Sequence, residues 1–354
     1  MKLCALLILT VALVQLAAAH PVVKEVNSKR AEETSYDPEA AAKITNGPLP
    51  SELEQKYGMA LNATEYPSSV AEALSPKSST KLRTASSSTS ADVAVRQATN
   101  TEIDIHTFYT KLSAAAYCRS VIPGGDFTCK HCDPSLQLIK TFTTLIDDTN
   151  VMVLRGDAQK AIYVAFRGTS SIRSFVVDVV FLPVDYPVAK GTKVHKGFLE
   201  SYNSVRDDLI KTVLEQAGQY PDYEIAITGH SLGGAQAVLC ALDLLNTNGT
   251  QFSPVNLKLY TQGQPRVGDS AFANYLLNTK ISYERLVNKR DLIPHLPPGF
   301  MNFLHSGSEF WINNDGVQVC PDGIETDSCS NSIVPFTSVL DHLTYLDINV
   351  GLCL

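Results

Sequence analysis

The sequence predicts an α/β fold, with a mostly parallel central sheet and helices on its faces. From residue 101 onward, short apolar runs are separated by Gly, Pro and Asn, and segments of helical length lie between several of them. Buried parallel strands that alternate with helices have this pattern, because such strands are covered on both sides. The expected strands are 151–154, 161–166, 223–228, 257–261 and 281–287, and the expected helices are 201–216 and 233–245.

Residues 1–19 have the composition of a secretory signal peptide. One lysine precedes an apolar stretch from Leu3 to Leu16, and the alanines at 17–19 form an A-x-A-like cleavage site before His20. The apolar stretch is too short, and wrongly flanked, for a stable membrane span. We therefore expect a secreted, extracellular protein.

Residues 20–96 differ from the rest of the chain in composition. They are rich in Ser, Ala, Glu and Lys, poor in aromatic residues, and contain the dibasic pair Lys29-Arg30. This composition predicts a pro-segment that does not join the main core. The alternative is a flexible N-terminal tail that is retained. Residues 97–354 are then expected to form one catalytic domain.

Composition and charge exclude several classes of protein. With 354 residues, 44% of them hydrophobic and 18% charged, the chain is not disordered. A formal net charge of −7 provides no basic surface for nucleic acid and no polybasic patch for a membrane. Any contact with lipid is therefore expected to be apolar.

The cysteine count indicates disulfides, because a secreted chain meets oxidising conditions. Removal of Cys4 with the signal leaves seven cysteines. Cys240 lies in an apolar helical stretch, where a small thiol packs like a hydrophobic residue, and we expect it to be the unpaired one. Six remain to pair: Cys118, Cys129, Cys132, Cys320, Cys329 and Cys353.

The segment Gly229-His230-Ser231-Leu232-Gly233 matches the G-x-S-x-G motif of the α/β-hydrolase nucleophile elbow. In this sharp turn between a strand and a helix, glycines are needed because a Cβ would collide with the turn. The expected strand 223–228 and helix 233–245 lie on the required sides. Ser231 is therefore the candidate nucleophile, and the alternative is an ordinary glycine-rich turn.

A serine nucleophile needs a histidine to accept its proton and a carboxylate to orient that histidine. Asp291 follows the strand 281–287 and is expected at the same sheet edge as the elbow. His342 lies in a late polar turn, as the expected order serine, acid, histidine requires. The alternatives are a surface pairing of His342 with Asp341 and an ion pair between Asp291 and a neighbouring Lys289 or Arg290.

Several segments, in order, resemble the fungal class 3 lipases typified by the Rhizomucor and Rhizopus lipases. The resemblance covers essentially all of residues 100–354 and extends to the layout of signal and pro-segment. The matching pieces are Tyr117-Cys118-Arg119, Phe166-Arg167-Gly168-Thr169, Val194-His195-Lys196-Gly197-Phe198, residues 228–234, Gly263-Gln264-Pro265-Arg266-Val267-Gly268, Arg290-Asp291-Leu292-Ile293-Pro294-His295 and Asp341-His342-Leu343.

The resemblance implies an α/β-hydrolase fold with the triad Ser231, Asp291 and His342. It also implies an oxyanion hole formed by Thr169, through its backbone N–H and hydroxyl, and by the backbone N–H of Leu232. Among the 15 connectivities open to six cysteines, it suggests Cys118–Cys353, Cys129–Cys132 and Cys320–Cys329. No metal or organic cofactor is required by this mechanism.

An amphipathic segment follows Thr169. Ile172, Phe175, Val176 and Val179 have the spacing of one helical face. In the resembled lipases a short helix here is a lid over the active site, and the same gating is expected; the alternative is a helix packed on the core. Apolar residues expected either in an acyl groove or in the core are Phe181, Pro297, Val339, Leu340 and Leu343.

The resulting interpretation is a secreted, monomeric triacylglycerol lipase that hydrolyses long-chain acylglycerols at a lipid–water interface. It would act through an acyl-enzyme on Ser231. The alternatives within the fold are a feruloyl or other soluble-ester esterase, or a phospholipase. The non-enzyme alternative is a binding protein on an inactive hydrolase scaffold, but such a protein would be free to lose the serine, aspartate or histidine.

Overall fold

The computed structural model describes residues 95–118, 121–144, 149–169, 181–247, 252–334, 337–351 and 353. Their α-helices are α1 Asn100–Ala115, α2 Lys196–Asn203, α3 Arg206–Gln219, α4 Leu232–Asn246 and α5 Ser270–Asn278. Their strands are β1 Arg96–Gln97, β2 Gln137–Thr143, β3 Asn150–Gly156, β4 Ala161–Phe166, β5 Pro183–Asp185, β6 Lys193–His195, β7 Glu224–His230, β8 Leu257–Gln262, β9 Gly268–Asp269, β10 Ser282–Asn288, β11 Phe303–Leu304, β12 Ser308–Asn313, β13 Gly316–Cys320, β14 Thr344–Tyr345 and β15 Ile348–Asn349.

A nine-stranded sheet in the order β1-β13-β12-β10-β8-β7-β4-β3-β2 forms the centre of the fold. The five inner strands from β12 to β4 pair in parallel. The strands outside them, β13 and β1 at one edge and β3 and β2 at the other, pair antiparallel. The predicted α/β-hydrolase fold, with a mainly parallel central sheet and flanking helices, is therefore confirmed.

Both faces of the sheet are covered, which explains the continuous apolar runs in the sequence. Along β4, Ile162 and Val164 pack in one cluster with residues of α4, such as Val238. Tyr163 and Ala165 point to the opposite face and pack in a second cluster with residues of α1. All six residues of β4 are buried. Alternate side chains of one strand thus enter two separate cores.

Two expectations about these elements were wrong in detail. The run 151–154 does form part of a strand, β3, but β3 pairs antiparallel with both its neighbours. Apolar content reports burial on both faces and not strand direction. The single helix expected over 201–216 is divided into α2 and α3, because the chain leaves the helical conformation at Val205. There the Ser204 hydroxyl donates to the carbonyl of Ser201, a local bond that competes with helix continuation.

Three disulfides connect six of the seven cysteines that the structure describes, in the same pairs that the resemblance implies. Cys118 at the end of α1 is bonded to Cys353, 235 residues away, so the bond joins the two ends of the domain. The other two, Cys129–Cys132 and Cys320–Cys329, close short loops. Cys240 is free and buried in α4, where burial raises the pKa of its thiol. A buried neutral thiol of this kind is unreactive.

A buried ion pair ties the loop after β13 to the loop that carries Asp291. Arg266 donates from Nε and Nη2 to the two carboxylate oxygens of Glu325 at 2.6 and 3.0 Å, and from Nη1 to the carbonyls of His295 and Pro297. Both charged side chains are about 5% exposed. Burial alone would raise the pKa of Glu325, but the charge and hydrogen bonds of Arg266 hold it well below the usual range.

We expect Glu325→Gln to destabilise the domain by about 3 kcal/mol at pH 7, because it leaves the Arg266 charge buried without its counter-charge. A lowered folded-state pKa gives stabilisation that is present above the ordinary value of 4.5 and is lost as the pH falls below it. The difference in unfolding free energy between wild type and variant should therefore shrink from pH 5 downward. Denaturant unfolding from pH 7 to pH 3 measures it.

The matched control is Glu215→Gln, which removes an exposed carboxylate of α3. Its unfolding free energy should follow that of the wild type within about 0.5 kcal/mol at every pH. A constant difference between Glu325→Gln and wild type across the pH range would contradict the role assigned to the ion pair.

Candidate active site

Four adjacent parallel strands, β4, β7, β8 and β10, end at the same edge of the sheet. The residues that follow these ends are Thr169, Ser231, Gly263 and Asp291. In open α/β sheets, the crevice outside the carboxyl ends of the strands is where ligands bind. The topology therefore brings four segments, far apart in sequence, to one place.

The elbow has the geometry that its glycines predict. Ser231 lies between β7 and α4 with φ 58° and ψ −130°, an unfavourable backbone conformation for a residue with a side chain. A Cβ at Gly229 would lie 2.2 Å from the carbonyl oxygen of Gly233, and a Cβ at Gly233 would lie 2.5 Å from that of Phe166. Both positions thus require glycine. The residue that carries the candidate nucleophile thus has a strained backbone.

His342 and Asp291 form the central hydrogen bond of the site. The Nδ1 of His342 donates to Oδ2 of Asp291 at 2.8 Å, and both side chains are completely buried. His342 lies in a 3-10 turn, Leu340–Leu343, and the chain around Ser338 forms a parallel bridge with Asp291. Among the described residues, Nε2 of His342 has no hydrogen-bond partner. Because Nδ1 donates to Asp291, Nε2 carries the free lone pair that a general base needs to accept the proton of a serine hydroxyl.

The hydroxyl of the candidate nucleophile is also without a hydrogen-bond partner among the described residues. Ser231 is completely buried. It stands at the N-terminus of α4, where the aligned peptide dipoles favour negative charge. The backbone N–H of Leu232, the first residue of α4, belongs to this N-terminus.

Asp291 is held by two further donors. The backbone N–H of Ile293 donates to Oδ1 at 2.9 Å, and the hydroxyl of Tyr345 donates to Oδ2, the oxygen that also accepts from His342. Burial, followed by the Asp291 charge, raises the pKa of Tyr345 well above its ordinary value. Tyr345 therefore keeps its proton and can donate it to Asp291. Sequence reasoning missed it, because no motif links it to Asp291.

The alternative pairings are not found in this structure. Asp341 accepts a hydrogen bond from the backbone N–H of Arg290 at 3.1 Å, and it lies 3.7 Å from the guanidinium of that residue. The other late histidines have separate partners: His295 contacts Asn331 at 3.0 Å, and His305 contacts the carbonyl of Pro294 at 2.8 Å. Burial lowers the pKa of both.

Residues 167–169 follow β4, and Gly168 among them lies against the elbow. A Cβ at Gly168 would lie 2.9 Å from the Cβ of Ser231 and 2.6 Å from the carbonyl oxygen of His230. The backbone before Thr169 therefore approaches the elbow as closely as a glycine allows. Sequence reasoning also missed Gly263, where φ is +56° and a Cβ would lie 2.7 Å from the His342 ring.

The remaining predicted residues fall into two groups. Ile172, Phe175, Val176 and Val179 of the expected lid lie outside the residues that the structure describes. The five groove candidates are all described: Phe181, Pro297, Val339 and Leu343 are buried, and Leu340 is partly exposed. Leu182 follows Phe181, and Phe300 lies three residues after Pro297. Both side chains are about half exposed, and neither was predicted as part of an acyl groove.

The described residues contain no group of three or more His, Cys, Asp or Glu side chains arranged to hold a metal ion. None of their helices has the length and apolar character needed to cross a membrane.

The sequence and the fold are similar to those of known proteins. Residues 163–301 match the model of the family described as lipase (class 3). A lipase from Rhizomucor miehei is 57% identical over 325 residues, which cover 90% of this chain and 85% of that protein.

Two solved structures extend the likeness. One is a triacylglycerol lipase whose catalytic centre is described as a serine protease triad. It is 59% identical, with a TM-score of 0.72, and the match covers 73% of this chain and 100% of the lipase chain. The other is the native propeptide complex of Rhizomucor miehei lipase, 54% identical with a TM-score of 0.73, covering 92% of this chain and 98% of its own. The chain therefore belongs to the class 3 lipase family.

Proposed function

We propose that this chain is a secreted triacylglycerol lipase that hydrolyses long-chain acylglycerols at lipid–water interfaces. It is a serine carboxylic ester hydrolase. The observation that carries the proposal is the buried hydrogen bond between His342 and Asp291, at the sheet edge that also presents Ser231 on its elbow. A binding protein on an inactive scaffold would have no need of this buried arrangement.

In the proposed mechanism Ser231 Oγ attacks the ester carbonyl while Nε2 of His342 accepts its proton. Asp291 fixes the histidine ring and stabilises the imidazolium that forms. The imidazolium then protonates the departing alcohol, which leaves an acyl group on Ser231. Water attacks this acyl-enzyme with His342 again as base, releasing the fatty acid and restoring the serine hydroxyl.

We assign the oxyanion hole to Thr169 and Leu232. Leu232 is the first residue of α4, so its backbone N–H belongs to the positive end of the helix dipole. The contact of Gly168 with the elbow supports the assignment of Thr169. Donors of this kind typically contribute about 3 kcal/mol each to transition-state stabilisation.

Interfacial activity is the property that separates a lipase from an esterase of the same fold. We expect the rate on a triglyceride to rise sharply once the substrate exceeds its solubility limit, because an apolar lid face at 172–179 would bind the interface. Initial rates across the solubility limits of a long-chain triglyceride and of a short-chain ester measure this.

Two variants sharpen the test. Ser231→Ala should lose activity on both sides of the solubility limit. Replacing Phe175 and Val176 with Ser should lower the rate on emulsions more than on dissolved esters, whereas equal losses on both would refute the lid. Activity on dissolved esters without a rise at the interface would instead favour a feruloyl or other soluble-ester esterase, and faster hydrolysis of phospholipid vesicles would favour a phospholipase.

We also propose that the enzyme is monomeric, secreted through the signal 1–19 and made with a pro-segment. The composition gives an approximate boundary between residues 96 and 97, and we propose that the cleavage site precedes Arg96. This proposal is supported by the pairing of Arg96 and Gln97 with β13 and by the hydrogen bond from the Arg96 guanidinium to the carboxylate of Glu102 in α1. A cleavage after Arg96 would remove the contacts of Arg96. N-terminal sequencing of the secreted protein identifies the site.

A further inference from the structure

A chain of three hydrogen bonds joins parts of the site that the triad does not connect. The backbone N–H of Gly168 donates to the hydroxyl of Tyr117 at 3.0 Å. That hydroxyl lies 2.7 Å from Nδ1 of His230, and Nε2 of His230 lies 2.9 Å from the backbone carbonyl of His342. His230 itself is completely buried. The chain thus runs from the loop before Thr169 to the backbone of the candidate base.

The His342 carbonyl can only accept, so Nε2 of His230 must carry a proton. A neutral imidazole has only one ring proton, so Nδ1 then accepts the proton of the Tyr117 hydroxyl. The hydroxyl oxygen in turn accepts from the Gly168 N–H. Burial, followed by the proximity of His342, lowers the pKa of His230 well below its ordinary value, so the ring stays neutral. Protonation at Nδ1 would reverse this hydrogen bond, because the Tyr117 hydroxyl would then have to accept from the ring.

We propose that His230 and Tyr117 are positioning residues, which fix residues 168–169, including the proposed oxyanion donor Thr169, relative to Ser231 and His342. The inference rests on the proposed function of this site. His230 precedes Ser231 in the chain, its ring holds the carbonyl of His342, and Tyr117 holds the amide of Gly168 next to Thr169. One buried imidazole therefore connects the nucleophile, the base and the loop that carries an oxyanion donor.

The packing around His230 supports a role in precise placement. Its ring lies 4.4 Å from the ring of His342, at an interplanar angle of 31°. A Cβ on Gly168 would lie 2.3 Å from the Tyr117 hydroxyl, so the backbone of Gly168 packs directly against this hydroxyl. A neutral His230 also avoids placing a second positive charge beside the imidazolium that forms on His342. Small displacements of such groups lower rates without changing the chemistry.

Tyr117→Phe tests the proposal, because it removes the hydroxyl and keeps the ring. We expect kcat for a dissolved short-chain ester, per site titrated with a phosphonate that reacts at Ser231, to fall 10- to 100-fold, with KM changed less than about threefold. The inhibition constant of an alkylboronic acid, whose adduct resembles the tetrahedral intermediate, should rise by the same factor as kcat/KM falls.

The matched control is Tyr202→Phe, which removes another buried tyrosine hydroxyl, one that donates to Asp243 at 2.8 Å. It should lower the thermal midpoint and leave kcat per titrated site unchanged. If Tyr117→Phe behaves in the same way, its hydroxyl is only structural and the proposal is overturned.

A second pair of variants tests His230 itself. Gln at this position keeps an acceptor for Tyr117 and a donor for the His342 carbonyl, whereas Leu has neither. We expect His230→Gln to lose less kcat per titrated site than His230→Leu, and equal losses would contradict positioning by hydrogen bonds. Activity that persists in Ser231→Ala would instead refute the proposed function, so the two failures are distinguishable.

Discussion

Ser231→Ala should lower kcat for ester hydrolysis by about 10⁴- to 10⁶-fold and leave the domain folded. The variant removes only the atom that would attack the carbonyl. Oγ has no hydrogen-bond partner among the described residues, so its loss leaves no donor or acceptor unsatisfied there. Alanine meets the same strain as serine at φ 58°. The thermal midpoint should therefore stay at or slightly above that of the wild type.

The measurement is the initial rate on a dissolved ester, with mass spectrometry after exposure to an organophosphate. Wild type should gain one phosphoryl adduct and the variant none. Ser113→Ala is the matched control, since it removes a buried hydroxyl that contacts Thr228 at 3.0 Å below the site. It should keep kcat within a few-fold. Residual activity of Ser231→Ala above about 1% would mean that another group is the nucleophile.

Burial made the central strands predictable from the sequence. All five apolar runs lie largely within strands. A strand that is covered on both faces is apolar at successive positions, so it is visible in the sequence as a continuous apolar run. The elbow was predictable for a different reason. A Cβ at Gly229 would meet Gly233, only four residues along the chain, and this local clash leaves a local motif, whereas Gly233 is required by its contact with Phe166 at the end of β4.

Several elements with an exposed face were not predicted, although one of them, α1, begins with a capping signal that is visible in the sequence. α1 begins after Thr99, whose side chain and that of Glu102 form a capping box, a pattern visible in the sequence. β2 and β13 lie toward the edges of the sheet and mix buried with exposed residues. Their apolar content is too low to separate them from loops.

The supporting residues of the site could not be predicted, because their partners are distant in sequence. Tyr117 lies 113 residues from His230, and Tyr345 lies 54 residues from Asp291. Hydrogen bonds over such separations depend on how the strands and turns are arranged in space. Short motifs identified Ser231, Asp291 and His342, and the fold shows which further residues hold these three in place.

Asp291→Asn should lower kcat by about 10⁴-fold, the loss known for the equivalent change in serine proteases. Oδ2 of Asp291 accepts two hydrogen bonds, one from His342 Nδ1 and one from the Tyr345 hydroxyl. An amide presents only one acceptor oxygen and two N–H donors. If its N–H group faces His342, Nδ1 must accept and the ring proton moves to Nε2, where it occupies the lone pair needed by Ser231.

The size of this loss in kcat shows whether Asp291 acts by orienting His342 or only by placing a negative charge near it. Asp341→Asn is the matched control, since Asp341 adjoins His342 in sequence but accepts from the backbone of Arg290. Removal of its charge should change kcat less than tenfold. Because the carboxylate that contacts Nδ1 fixes the tautomer of His342, the two neutralisations should differ by about three orders of magnitude. If they lower kcat equally, charge near His342 matters and the contact to Nδ1 does not, and the assignment of Asp291 is wrong.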